Sequence, residues 1–145
     1  MTAHATLLKF NHTQNLVHAL DHWVVLLRPA QVTLGALVLV SIHDDTSLGA
    51  LPVAAFAELK QATGLIESGL KRFQPYDKIN YLALMMVDPQ VHFHVIPRYA
   101  TAPEFMGTPC PDSGWPGVPD LTKAIPFTDE QRKQLLKNMI DAFAC

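Results

Sequence analysis

Two short apolar runs, Asn15-Leu-Val-His-Ala-Leu20 and Trp23-Val-Val-Leu-Leu-Arg28, flank Asp21-His22, and their β-branched and aromatic residues predict a tight hairpin. Pro29 ends it. Gln31-Val-Thr-Leu-Gly35 leads into Ala36-Leu-Val-Leu-Val-Ser-Ile42, a nearly continuous apolar run whose length and valines favour a buried strand over a helix. His43-Asp44-Asp45 returns the chain to solvent. Pro52 suits the first turn of a helix, and Phe56, Leu59, Thr63, Ile66, Leu70 and Phe73 follow at three- and four-residue steps, a core-facing stripe that Gly64 and Gly69 weaken slightly. Pro75 closes that helix. Residues 78–87 then read as a strand with Met85-Met86 half core and half pocket wall, Asp88-Pro89 as a turn, and 91–96 as the returning strand.

Beyond Pro97 the composition shifts, because seven of the eleven prolines lie within 97–126 together with Gly107, Gly114 and Gly117. A segment this long and irregular, 97–127, is usually functional or wrapped over a partner. Trp115 in its middle argues for order. A last helix is expected over 128–145, opened by Thr128, whose side chain can cap it with Gln131 three residues on, and its apolar face is Leu135, Leu136, Met139, Ile140 and Phe143. No internal repeat or low-complexity tract interrupts a chain whose 145 residues fit one domain.

Charge removes several functional classes. With a net charge of −2, a pI near 6.3 and no Lys/Arg cluster, the chain lacks the basic patch that a nucleic-acid polymer requires. No apolar stretch reaches the length of a membrane span, residues 1–10 have no signal-peptide pattern, and Cys110 and Cys145 make neither a disulfide framework nor a metal-site spacing. A cytoplasmic protein is expected. Charged residues are only 17% of the chain against 49% hydrophobic, and mean hydropathy is +0.14, so a dimer interface is expected to cover the excess apolar surface.

The residues that can carry chemistry lie in Asp88-Pro-Gln-Val-His-Phe-His-Val-Ile-Pro-Arg98. Alternation along a strand points Gln90, His92, His94 and Ile96 to one face and Val91, Phe93 and Val95 to the other. Two histidines at i, i+2 allow three readings: polar residues on a solvent face, two ligands of a metal that would need Asp88, His43 or Asp44 as a third, or a nucleophilic imidazole with a neighbour that holds its tautomer.

Gln90-Val-His92-Phe-His94-Val-Ile96-Pro-Arg98 resembles the signature strand of the histidine triad (HIT) superfamily, in which three alternate histidines are interleaved with apolar residues and often followed by Pro-Arg. The strands around Arg28-Pro29, the helix at 52–73 and the paired strands 78–87 and 91–96 occur in that family's order. The resemblance implies an α+β fold with an antiparallel sheet of about five strands and two main helices, a homodimer, and a groove for a nucleotide or nucleotide conjugate. It further implies hydrolysis or transfer at the α-phosphate through a nucleotidyl-histidine intermediate, with no cofactor and no metal. Carried over by position, His92 is the nucleophile and His94 contacts the α-phosphate.

Three departures from the family pattern bear on function. Gln90 replaces the first histidine, and an amide can hydrogen-bond but cannot exchange a proton. Val87-Asp88-Pro89 stands where many HIT proteins have a Gly-rich phosphate loop, and Leu26 matches a position that often carries a ribose-binding acid. If Gln90 is a partial loss, Gln90→His is expected to raise the rate. Arg28, Gln31, Asn80, Arg98 and Trp115 are the candidate substrate-binding residues, while His4, His12, His18, His22 and His43 read as surface or capping residues. The alternatives are a catalytically weakened nucleotide-binding or interaction module, and a small metal-dependent hydrolase using His92 and His94.

Overall fold

A five-stranded antiparallel sheet forms the centre of the fold, in the order β1-β2-β3-β5-β4. The computed structural model describes residues 2–145. β1 (Leu16–Ala19) and β2 (Trp23–Leu27) make the hairpin, β3 (Leu37–Ser41) is buried along its whole length, and β4 (Lys78–Leu82) and β5 (His92–Arg98) complete the sheet. α1 (Ala5–Lys9), α2 (Val53–Phe73) and α3 (Asp129–Phe143) pack on it, α2 and α3 on one face and α1 on the other. The fold is therefore α+β with two main helices.

Strand alternation separates the two faces. Trp23, Val25, Leu27, Leu37, Leu39 and Val95 join the main core beneath α2 and α3, whereas Leu26, Val38 and Val40 face α1 and pack against its Leu7 and against Phe10. His92 and His94 share that second face, since His94 lies beside Val38 and His92 beside Val40 in the register. α3 begins as its residues dictate, with Thr128 Oγ1 accepting from Gln131 N and Gln131 Oε1 accepting from Thr128 N.

The structure corrects four sequence expectations. The strand expected over 78–87 stops at Leu82, where the chain leaves the sheet; Met85 adopts φ +44° and Met86 and Val87 are more than four-fifths exposed, so Met85-Met86 contributes no core. β5 runs on through Pro97 instead of ending at Ile96, because β3 pairing stops at Leu37↔Val95 and only β4 accompanies Pro97, a one-sided position where proline is tolerated. On α2 Ile66 and Leu70 are buried and Leu59 and Phe73 pack against the core as expected, with Ala55, Ala62 and Gly69 buried beside them, whereas Phe56 is exposed. Small residues let α3 approach closely: a Cβ on Gly69 would stand 2.6 Å from the Phe143 ring. Within the segment 97–127, β6 (Glu104–Phe105) pairs with β7 (Thr108–Pro109), and Phe105 and Cys110 join the core.

Candidate functional site

A cavity of about 310 Å³ opens on the histidine face, lined by Lys9, Phe10, Arg28, Asp88, His92 and His94, with Leu84, Met86 and Val87 from the loop after β4 at its rim. The two imidazoles are set nearly perpendicular, centroids 5.0 Å apart, and the Phe10 ring lies 6.0 Å from one and 6.1 Å from the other. The sheet holds both rings rigidly: His92 is 1% and His94 7% exposed.

Hydrogen bonds determine what each ring offers. Nδ1 of His92 lies 2.7 Å from the Gln90 carbonyl oxygen, which can only accept, so in the neutral ring the proton sits on Nδ1 and the Nε2 lone pair is free. Nε2 has no protein partner among the described residues. His94 has the opposite arrangement, because Arg28 Nε donates to its Nδ1 at 3.4 Å and leaves the proton on Nε2. Burial, the Arg28 guanidinium and the neighbouring His92 push His94 down to about 4, against a smaller upward pull from Asp88. One ring therefore presents a lone pair and the other, neutral at pH 7, an N–H donor. Lys9 pairs with Asp88 at 3.0 Å, and with Arg28 the cavity wall carries two cations against one carboxylate, a balance that suits a phosphate.

Gln90 lies just before β5 and is absent from the cavity lining. Its Oε1 accepts from Thr6 Oγ1 at 2.6 Å and from Thr6 N at 3.2 Å, while its Nε2 donates to Asp44 Oδ1 at 3.1 Å. α1 is thereby tied to the carbonyl that orients His92. His4 adds a second tie, since its Nδ1 caps α1 by accepting from Leu7 N and its Nε2 donates to Ser41 O at 2.6 Å.

The remaining candidates are dispersed. Arg28 is at the cavity. Gln31 is buried in the β2–β3 turn, where its amide donates to the Arg28 and Ala36 carbonyls and accepts from Gly35 N, fixing the turn that Gly35 enters at φ +89°. Arg98 is buried at the far end of β5, bonded to Asp112 at 2.6 and 3.1 Å and to Asn80 Oδ1 at 2.7 Å. Arg98, Asn80 and Trp115 line a separate, larger cleft of about 710 Å³ beside β4 that contains neither His92 nor His94. Lys9, Phe10 and Thr6 escaped sequence reasoning, because a five-residue helix is too short to show a period. His22 and His43 sit together, Nδ1 to Nε2 at 2.9 Å, away from the cavity lining. Among the described residues no group of three or more His, Cys, Asp or Glu side chains is placed to hold a metal ion.

No protein-family model matches the sequence, and no curated protein matches it. Solved structures do. A histidine triad protein from Sinorhizobium meliloti is 25% identical and superposes with a TM-score of 0.70 over 91% of this chain and 93% of its own. One from Bradyrhizobium japonicum is 22% identical with a TM-score of 0.72 over 99% and 95%, and a hypothetical histidine triad nucleotide-binding protein from Sulfolobus tokodaii is 16% identical with 0.72 over 97% and 92%.

Proposed function

Because this chain belongs, by its fold, to the histidine triad superfamily, we propose that it binds a nucleotide conjugate and cleaves it at the α-phosphate, with His92 as the nucleophile. The carrying observation is the complementary pair of tautomers, a free Nε2 lone pair on His92 beside an N–H donor on a neutral His94. Nε2 of His92 attacks phosphorus, and the bond to the leaving group breaks with its electron pair on that group. His94 Nε2–H, Arg28 and Lys9 stabilise the non-bridging oxygens as charge builds on them. Water then displaces His92 from the nucleotidyl-imidazole and releases the nucleoside monophosphate. Gln90 acts on His92 from behind, through the bonds that fix its carbonyl.

A second copy of the chain completes this reading. β4 is an edge strand whose outer side carries no paired strand among the described residues, and such edges are normally covered. The test of the chemistry is release of AMP from a diadenosine polyphosphate. Turnover that resists chelator and is abolished by His92→Ala is expected. Loss of turnover to chelator would favour a metal-bound His92 and His94, and binding without turnover would favour a non-catalytic module.

A further inference from the structure

We propose that the cleft between α3 and the β2–β3 turn is a second anion-binding subsite, which holds a phosphorylated leaving group beyond the bond cleaved at His92. The proposal rests on the reading of His92 as nucleophile. The cleft encloses about 510 Å³, ample for a phosphate-bearing small molecule. Arg28, Arg132 and Lys133 line it and no carboxylate does, in a chain whose net charge is −2. The carboxylate that approaches these cations is Asp129, 3.8 Å from Arg132 and 93% exposed, too loosely held to neutralise the site. Buried Leu27 and Leu135 supply an apolar floor, and the amides of Gln14 and Asn15 supply donors and acceptors. The ligand that fits is an anion with an apolar or aromatic body.

Arg28 connects this cleft to the chemistry. It lines both cavities, with Nε directed to His94 and Nη1 held by the Ala30 carbonyl at 2.6 Å. A substrate that spans both would carry one phosphate at His92 and further phosphate along Arg28 toward Arg132 and Lys133.

Leaving-group chemistry points the same way. At the His92 cavity the carboxyl in reach of a departing atom, Asp88, is paired with Lys9. An amine or alkoxide would need such a proton, whereas a phosphate, whose second pKa is about 6, departs as a stable anion. In the balanced sequence the Nε2–P bond forms as the P–O bond breaks, the electron pair staying on the departing phosphate. Water oxygen then replaces Nε2 on phosphorus and its proton passes to solvent.

The experiment compares diadenosine tetraphosphate with AMP on the full chain, by calorimetry and by turnover, in wild type and in Arg132→Glu/Lys133→Glu. Acids in the first turns of α3 suit the helix dipole, so the fold should persist, and Arg132→Gln/Lys133→Gln provides a milder version. The expected result is that the preference for tetraphosphate over AMP falls at least tenfold in the charge-reversed variant, and less, in the same direction, in the glutamine variant. An unchanged preference with turnover intact overturns the subsite and leaves the His92 reading standing. A lost preference in a protein that turns nothing over supports the subsite and removes the nucleophile. Wild type that binds neither ligand overturns both.

Discussion

His92 and His94 are chemically identical side chains made unlike by their neighbours, a carbonyl behind one and a guanidinium behind the other. That difference is measurable. The His94 ring should titrate near 4 by NMR, with Arg28→Gln moving the midpoint upward; a midpoint at the ordinary 6.5 would contradict the buried, cation-flanked environment. Between those pH values the unfolded chain holds more protons at His94 than the folded one, so stability should rise with pH across that window, a rise that His94→Gln removes. Gln90 changes meaning in the same light. Its amide oxygen accepts from both Thr6 Oγ1 and Thr6 N while its Nε2 donates to Asp44, and a neutral imidazole, with one acceptor and one donor, can keep the shorter Thr6 bond and the Asp44 bond and loses only the longer contact to Thr6 N. Gln90→His should therefore stay within about threefold of the wild-type rate, an order-of-magnitude expectation in place of the gain suggested by the motif, while Gln90→Leu, which strands Thr6 and Asp44, should lower kcat more than KM. A tenfold gain from Gln90→His would show that residue 90 acts at phosphorus. The alternation of Gln90, His92 and His94 was legible in the sequence, but the partner of Gln90 was not, since Thr6 lies 84 residues away in a helix with no periodic signal.

At the scale of elements, the hairpin, α2 and α3 could be read closely because proline, glycine and capping residues mark their ends. The strand after Asp77 could not, because Leu84, Met85, Met86 and Val87 have strand composition yet lie beyond the last residue that β5 pairs, Leu82. The two glycines of α2, alike in sequence, differ in what surrounds them. Nothing lies within 4 Å of a Cβ at Gly64, so Gly64→Ala should stabilise by roughly 0.5–1 kcal/mol through helix propensity. At Gly69 the same change meets the Phe143 ring at 2.6 Å, and overpacking of about 1–3 kcal/mol should outweigh that gain. Chemical denaturation that ranks Gly69→Ala above wild type would refute the close approach of α2 and α3.

For the whole molecule, the low charge fraction finds a place in the geometry. Leu84, Met86, Val87 and Val118 are exposed apolar side chains, Val118 in the cleft beside the β4 edge and the others at the rim of the histidine cavity. A second copy docked along β4 would cover the first of these regions, and sedimentation equilibrium should give twice the 16.0 kDa chain mass at micromolar concentration; a monomer there would exclude it. Among the described residues no helix is long and apolar enough to cross a membrane. What organises the molecule is one sheet with a packed face toward α2 and α3 and a chemical face toward α1, the latter holding a lone pair and a donor a ring apart. The most direct measurement is mass spectrometry of the chain quenched with alkali during turnover of diadenosine tetraphosphate. One adenylyl group on the peptide carrying His92, absent from His92→Ala, is the expected result, and turnover with the label on another residue, or with no label while water attacks directly, would overturn His92 as the nucleophile.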